Sequence, residues 1–181
     1  MTVFLHEDGM KPPYIIIVAG PNGVGKSTFA QWYLKDFPDC EGIVDADAIA
    51  RDLQHLPESS RNVAAGRIAL ETIEHNVQQR RSFAIESTLS GRTLLGTLAM
   101  ARSGGYYIAI AILWVPSIGI TSRRVESRAR SGGHDIAMED QIRRFDRCYI
   151  NFFTSYRQIC NEWTLYLGLG TTPEPLAKGK G

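Results

Sequence analysis

A glycine-rich stretch near the N-terminus carries the clearest chemical signal in this sequence. Residues 20–28 read GPNGVGKST and fit the pattern G-x-x-x-x-G-K-[ST], with Gly20, Gly25, Lys26 and Ser27 in the fixed places. Glycines at these positions let backbone N–H groups converge on an anion at the start of a helix. The lysine can reach the β- and γ-phosphates of a nucleotide, and the serine hydroxyl can hold Mg²⁺. The predicted nucleotide contacts are Gly20, Asn22, Gly23, Val24, Gly25, Lys26, Ser27 and Thr28.

Acidic residues follow the second predicted strand, residues 42–45. Transfer of a phosphoryl group to a hydroxyl needs a group that accepts the hydroxyl proton, and a carboxylate beyond a strand can do this. Asp47 is the candidate base and a candidate contact for the acceptor substrate. The same residue would also make a good N-cap for the helix that follows, so the spacing leaves both roles open. Asp45 lies nearer the strand and could orient magnesium or end the strand.

A third carboxylate, Glu86, comes directly after the apolar pair Ala84-Ile85 in a strand predicted over residues 82–86. Burying a carboxylate is costly unless a partner compensates its charge. A magnesium-bound water, Arg92 or a substrate hydroxyl would serve, and a solvated loop carboxylate is the alternative. We therefore predict that Glu86 and Arg92 contribute to a substrate site at this strand end.

Two arginine-bearing helical segments joined by glycines occupy residues 123–147. Arg124 and Arg128 share a helix face by their four-residue spacing, and a bound anion would explain this like-charge pair. Such segments can form a lid that closes over a nucleotide and screens the migrating charge, with Gly132-Gly133-His134 as the hinge. Solvated helix surface is the alternative, because acidic residues are interspersed. Within the lid we favour Arg128 as a catalytic residue and Arg130 as a nucleotide contact.

Strand and helix patterns alternate along the chain, which is typical of a parallel sheet with helices on both faces. We predict an α/β fold: a P-loop NTPase of kinase type with three α/β/α layers, a five-stranded mainly parallel sheet and a helical lid. Predicted strands cover residues 14–19, 42–45, 82–86, 107–115 and 164–167, and the last long helix covers about 138–162. The prediction is a single domain over residues 1–181, with a core at about 14–168, a lid at about 123–147 and a loose C-terminal tail at about 169–181.

Composition is compatible with such a domain. The 181 residues carry a formal net charge of +1, which gives no global attraction to nucleic acid or to a membrane surface. The three cysteines are scattered without metal-type spacing and suggest a reducing compartment. The N-terminal stretch is too short and mixed for a signal peptide, and no apolar run is long enough to span a bilayer. We therefore expect a soluble, cytoplasmic protein without membrane or nucleic-acid partners.

Five motifs between Ile15 and about Phe153, taken in order, resemble the zeta-toxin-type kinases, and more narrowly the small bacterial zeta-toxin-like proteins. They are AGPNGVGKST, VDADAIA, FAIESTLSGR, RVESRARSGGHDI and IRRFDRCYINFF. The resemblance implies a kinase-type P-loop domain that uses ATP and Mg²⁺ and transfers the γ-phosphate to a sugar hydroxyl. In the best-known toxins the acceptor is UDP-N-acetylglucosamine. The partners implied are a small-molecule phosphoryl acceptor and an antitoxin protein.

The resemblance also assigns roles to individual residues. Lys26 and Ser27 would hold phosphate and magnesium, and Asp47 matches the catalytic aspartate of the family. Glu86 with Thr88 matches the acidic-threonine motif of the substrate site. The lid is matched by Arg128 and by the glycine-histidine stretch that follows it.

The sequence departs from the family pattern near the substrate site. Asp45 stands where an asparagine is expected two residues before Asp47, and Ser87 replaces a threonine. The Arg-x-x-His-Pro continuation and the extra substrate-binding length of the large toxins are missing. The kinase chemistry therefore carries over better than the sugar-nucleotide substrate does.

Two other interpretations of the same residues stay open. A kinase for another small metabolite or for polynucleotide ends would use the same loop, base and lid. A nucleotide-binding switch without transferase activity would keep some of these residues, although intact Lys26, Ser27 and Asp47 argue against degeneracy. Rapid, acceptor-stimulated release of ADP would distinguish an enzyme from a switch.

Overall fold

A six-stranded sheet forms the centre of the computed structural model, which describes residues 11–130, 136–170 and 173–181. The strands are β1 (Tyr14–Ala19), β2 (Ile43–Asp45), β3 (Phe83–Ser87), β4 (Tyr107–Trp114), β5 (Glu162–Leu167) and β6 (Glu174–Lys180). Their order across the sheet is β2-β3-β1-β4-β5-β6. The first five strands pair in parallel, and β6 runs antiparallel to β5. The carboxyl ends of the parallel strands therefore meet along one edge, where ligands bind in open α/β sheets.

Helices connect the strands and cover both faces of the sheet. They are α1 (Lys26–Tyr33), α2 (Ala46–Asp52), α3 (Glu58–Gln78), α4 (Thr93–Ser103), α5 (Ile118–Arg130), α6 (Met138–Asn151) and α7 (Arg157–Ile159). A short 3₁₀ turn, Leu34–Asp36, follows α1, and a π-helical turn, Phe152–Tyr156, follows α6. None of the helices in the described ranges is long and apolar enough to cross a membrane.

The apolar core has two halves, one on each face of the sheet. All six residues of β1 are buried. Since successive side chains of a strand point to opposite faces, Ile15 and Ile17 pack with α3 and α4, whereas Ile16 and Val18 pack with α1. This arrangement is the predicted three-layer α/β/α fold, and it holds the phosphate loop between the buried strand β1 and helix α1.

The prediction of five strands and a loose C-terminal tail is wrong, because residues 174–180 form β6. The strand pairs with β5 from Leu167 opposite Glu174 to Glu162 opposite Lys180. Pro175, Gly179 and the lysines give this segment a low intrinsic preference for strand structure. At a sheet edge, however, a proline without an N–H group and exposed charged side chains are tolerated.

The helix predicted to run to residue 162 ends earlier. The α-helical ladder stops at Asn151, passes through the π-helical turn and α7, and the chain becomes extended at Cys160. Asn161 then exchanges two hydrogen bonds with the backbone of Ile108: its N–H donates to the carbonyl oxygen at 2.8 Å, and its side-chain Oδ1 accepts from the N–H at 2.9 Å. This pairing with β4 starts β5 two residues before the predicted strand.

Candidate active site

The phosphate loop connects β1 to α1 at the carboxyl edge of the sheet. Gly20, Gly23 and Gly25 have φ angles of 148°, 77° and 103°. Helix α1 begins at Lys26 with no side-chain cap and no acidic residue in its first turn, so its N-terminus is open to an anion. A Cβ built at Gly25 would meet no other atom within 4 Å, which places open space directly above the loop.

Two polar side chains of the loop are buried within it. Lys26 is only 6% exposed, and its Nζ donates to the carbonyl oxygen of Pro21 at 3.2 Å. Asn22 is 5% exposed, and its Oδ1 has no hydrogen-bond partner among the described residues. A buried ammonium whose hydrogen bond goes to a neutral carbonyl is suited to an anionic ligand. The loop therefore fits the phosphates of a nucleotide.

Gly23 lies against the first half of α5. A Cβ at this position would press on the carbonyl oxygen of Thr121 and lie 2.9 Å from Cγ2 of Val125. The absence of a side chain thus lets α5 pack directly on the phosphate loop. The close approach couples the helix that begins the predicted lid to the nucleotide cradle.

Replacing Gly23 by alanine should destabilise the protein by about 2–4 kcal/mol, because the left-handed backbone and the backbone clash add. Nucleotide affinity should fall as well, since the loop must move to relieve the clash. Urea unfolding and calorimetric titration with Mg-ATP measure the two effects. Gly96→Ala is the control: Gly96 lies in α4 with open space around it, so this change should stabilise by about 0.5–1 kcal/mol. A Gly23→Ala variant as stable as wild type would contradict the packing described above.

Arg124, on α5, also binds the phosphate loop. Its Nη1 donates to the carbonyl oxygens of Val24 and Gly168, both at 3.1 Å. The guanidinium therefore joins α5, the phosphate loop and the segment that follows β5. The sequence predicts an anion-binding pair of Arg124 and Arg128. In this structure the Arg124 guanidinium instead donates to two backbone carbonyl oxygens. The sequence pattern carries no sign of this tertiary contact.

The two aspartates beyond β2 have different roles. Asp45, not Asp47, is the N-cap of α2: its Oδ1 accepts a hydrogen bond from the Asp47 N–H at 2.9 Å. Its Oδ2 lies 3.9 Å from Nη2 of Arg51. Asp47 stands exposed in the first turn of the helix, and within the described part of the chain no hydrogen bond or ion pair engages its carboxylate. The alternative that Asp47 serves as the N-cap is therefore wrong.

Glu86 lies beside both the phosphate loop and the end of β2. Its Oε1 accepts a hydrogen bond from Oγ of Ser27 at 3.0 Å, and it pairs in register with Asp45 across β2 and β3. Burial raises the pKa of the Glu86 carboxyl above its ordinary value, against the attraction of Lys26, and the charges of Asp45 and Asp47 raise it further. The alternative of a solvated loop carboxylate is wrong, because Glu86 is partly buried and its partner belongs to the phosphate loop.

The raised pKa of Glu86 predicts a pH dependence of stability. The folded protein binds this proton more tightly than the unfolded chain. The stabilisation is therefore present below the ordinary pKa of 4.5 and is lost as the pH rises through the folded value. A glutamine side chain does not ionise, so the Tm of Glu86→Gln relative to wild type should increase between about pH 4 and about pH 8. Glu71→Gln, at an exposed position of α3, is the control. A Tm difference that does not change with pH would contradict the assignment.

The loop after β3 is held by contacts from the end of α6. Leu89 has a φ of 51° although it is not glycine, and its side chain is buried. Nδ2 of the buried Asn151 donates to the Leu89 carbonyl oxygen at 2.8 Å, and Nε of Arg92 donates to Asn151 Oδ1 at 3.3 Å. The hydroxyl of Tyr156 donates to the Gly91 carbonyl oxygen at 2.8 Å. Asn151 and Tyr156 were not predicted as site residues, because their partners lie about sixty positions away in sequence.

The predicted substrate contacts divide into two groups. Glu86 and Thr88 line one cavity at the carboxyl edge, and Thr88 Oγ1 lies 2.9 Å from Ser90 Oγ. Asp47 and Arg92 stand outside that lining, both exposed, and Nε of Arg92 donates to Asn151. The structure therefore does not place Arg92 as a partner of Glu86.

The arginines of the predicted lid lie on the surface. Arg130 forms an exposed pair with Glu126 at 3.0 Å, one turn away on α5. Arg128 is exposed and, within the described residues, has no ion-pair partner. The hinge Gly132-Gly133-His134 lies outside the described residues. A lid contact to nucleotide thus stays a prediction for both arginines.

Magnesium would have to be held with the help of the nucleotide. Among the described residues, no group of three or more His, Cys, Asp or Glu side chains could hold a metal ion. Mg²⁺ commonly takes one or two protein ligands together with waters and substrate phosphates. The Ser27 hydroxyl and the Glu86 carboxylate, 3.0 Å apart, are oxygen ligands of this kind.

Comparison with known proteins identifies the family and the fold. The model of the AAA_33 family, described as an AAA domain, matches residues 15–148. An uncharacterized protein of Haemophilus influenzae is 31% identical over 130 residues, which cover 71% of this chain and 89% of that protein.

Two solved structures share the fold at low identity. One belongs to the PezAT chromosomal toxin–antitoxin system of Streptococcus pneumoniae, with a TM-score of 0.64, 18% identity, and coverage of 93% of this chain and 72% of that chain. The other is shikimate kinase from Acinetobacter baumannii, with a TM-score of 0.52, 11% identity, and coverage of 88% and 84%. The matches support the resemblance inferred from the motifs. The chain belongs to the AAA_33 family of AAA domains, and its fold is that of the P-loop kinases.

Proposed function

We propose that this protein is a kinase that transfers the γ-phosphate of Mg-ATP to a hydroxyl group of a small molecule. One observation carries the proposal: Glu86 accepts a hydrogen bond from Ser27 of the phosphate loop and at the same time lines the neighbouring cavity. A nucleotide on the loop and an acceptor in the cavity would therefore meet at one carboxylate. A nucleotide-binding switch has no need of a second site joined to the first in this way.

In the proposed reaction, the acceptor oxygen forms a bond to the γ-phosphorus while the bond from that phosphorus to the bridging oxygen of ADP breaks. Asp47, whose carboxylate is not used as a helix cap, takes the hydroxyl proton. Lys26 neutralises negative charge on the phosphates, and Arg128 does so from the lid at about 123–147 once it closes. The Ser27 hydroxyl would hold Mg²⁺, which would supply further charge neutralisation at the phosphate oxygens.

The resemblance to zeta-toxin-type kinases makes UDP-N-acetylglucosamine the first acceptor to test. The protein is incubated with Mg-ATP and the sugar nucleotide, and phosphorylated product is detected by mass together with ADP release. Product that disappears in Asp47→Asn supports both the chemistry and this acceptor. Absence of product with intact ATP binding would reject this acceptor, and the assay would continue with other alcohols.

A protein partner is a further part of the proposal. The PezAT neighbour comes from a toxin–antitoxin system, and an antitoxin for the present chain would be expected to block the phosphate loop or the cavity. Co-expression with the product of an adjacent gene, followed by purification and an ATP-binding assay, tests this. A co-purifying protein that leaves ATP and acceptor binding unchanged would argue against an antitoxin role.

A further inference from the structure

The cavity beside Glu86 carries information about the acceptor. We propose that the acceptor is an uncharged alcohol with an apolar body, rather than a sugar nucleotide or another phosphorylated metabolite. This inference rests on the proposed kinase function and specifies its substrate class. It follows from the lining and the charge of the cavity.

The cavity has room for a small molecule or for one part of a larger one. Its volume is about 430 Å³. This volume lies within the range of small-molecule sites, about 300–1,000 Å³. Helix α3 forms one wall, and the loop over residues 87–91 forms another.

The walls of the cavity are mainly apolar. Val63, on α3, lines the cavity and is 74% exposed. An apolar side chain that lines a cavity while staying exposed is suited to an apolar ligand. Further apolar lining comes from Val44, Leu70, Ile73, Ile85, Leu94 and Tyr156.

The charges in the lining disfavour an anionic acceptor. Arg67 is the one cationic residue of the lining, and its Nε already lies 3.7 Å from Oε1 of Glu71, one turn away. Glu86 is the one acidic residue of the lining. Phosphate groups are normally bound by several arginines, lysines or backbone N–H groups, and a buried carboxylate repels them. A neutral molecule has no such conflict.

Hydroxyl-bearing side chains cluster with Glu86 at the strand end. Ser87, Thr88 and Ser90 lie there, and Thr88 Oγ1 and Ser90 Oγ are 2.9 Å apart. These groups can donate to and accept from a substrate hydroxyl. The acceptor would therefore place its hydroxyl at Glu86, next to the phosphate loop, and its apolar body along α3. The proton and phosphoryl transfers are those of the proposed reaction.

The test uses N-acetylphenylalaninol, a neutral primary alcohol with an aromatic body, as the probe. Its binding to the protein is measured by calorimetry with Mg²⁺ and a non-hydrolysable ATP analogue, and its phosphorylation by mass. UDP-N-acetylglucosamine is measured in parallel. Val63→Glu should weaken binding of the alcohol at least tenfold, and thermal unfolding of the variant checks that its fold is intact. Met100→Glu, the same kind of change at an exposed residue of α4 outside the cavity lining, should leave binding unchanged.

The outcomes separate this inference from the kinase function. Alcohol binding that is lost in Val63→Glu and kept in Met100→Glu supports the inference, and a phosphorylated alcohol supports both. If the alcohol binds with this dependence on Val63 but no phosphorylated product forms, the ligand class is supported and phosphoryl transfer to it is rejected. Phosphorylation of the sugar nucleotide without binding of the alcohol overturns the inference and keeps the kinase. Equal binding of the alcohol to Val63→Glu and Met100→Glu also overturns the inference.

Discussion

Asp47→Asn is expected to lower kcat by about 10²–10⁴-fold, the range typical for loss of a general acid or base. Asparagine keeps the size of the side chain but cannot take the hydroxyl proton. The fold should not change, because the N-cap of α2 is supplied by Asp45 and the Asp47 backbone N–H, not its side chain, makes the capping hydrogen bond. Acceptor-dependent ADP release gives kcat, and calorimetry with Mg-ATP should show unchanged affinity.

The neighbouring aspartate provides a matched control. In Asp45→Asn the side chain can still cap α2, since asparagine and aspartate are about equally good N-caps. Its turnover should therefore fall far less than that of Asp47→Asn, and its Tm should stay close to wild type. Turnover by Asp47→Asn near the wild-type rate would show that Asp47 is not the base. Glu86→Gln would then be the next variant to measure, because Glu86 is the other carboxylate beside the phosphate loop.

The features that were predicted correctly are those fixed by local sequence. The apolar run of β1, the glycines and Lys26 specify strand, loop and helix N-terminus within about fifteen consecutive residues, and no distant contact is needed. The position of Glu86 at the end of β3 also followed from a short apolar run. These local signals sufficed for the family and for the three-layer fold.

The features that were missed depend on contacts between distant segments. The spacing left open whether Asp47 caps α2, because aspartate suits both positions and only the pairing of β2 with β3 determines where the strand ends. The loop at Leu89 is held by Asn151 and by Tyr156 of the π-helical turn, which bond the carbonyl oxygens of Leu89 and Gly91. The bonds of Arg124 to Val24 and Gly168 likewise join three segments that are far apart in sequence.

The cavity beside Glu86, like these contacts, is formed by segments that are distant in sequence, and it could not be predicted. Its apolar lining combines residues of α3 with residues of β2, β3, α4 and the π-helical turn, which are far apart in sequence. Val63 could not be distinguished from an ordinary exposed valine until the loop after β3 was placed opposite it. The acceptor class that we propose therefore rests on the cavity and not on the motifs.

Lys26→Met is expected to separate nucleotide affinity from stability. Loss of a buried charged hydrogen-bond partner typically costs about 2–4 kcal/mol in binding, which is roughly 30- to 700-fold in the Kd for Mg-ATP. The nucleotide-free protein should nevertheless keep its Tm or gain in it. The buried ammonium has a neutral carbonyl as its hydrogen-bond partner, and methionine fills similar space without the cost of burying a charge.

A weaker affinity for Mg-ATP together with an unchanged or higher Tm would identify Lys26 as a ligand-binding residue and not a structural one. Lys35→Met, at an exposed position of the 3₁₀ turn after α1, removes a charge from the same region without touching the loop and should change neither quantity. The attraction between Lys26 and Glu86 acts against the gain in Tm, because methionine leaves the carboxylate without this cation and its pKa rises further. A Lys26→Met protein that unfolds at a lower temperature and still binds Mg-ATP normally would show that Lys26 stabilises the fold and does not hold phosphate. A protein that loses ATP binding at an unchanged or higher Tm would show that the lysine is kept, at a cost in stability, for the anion.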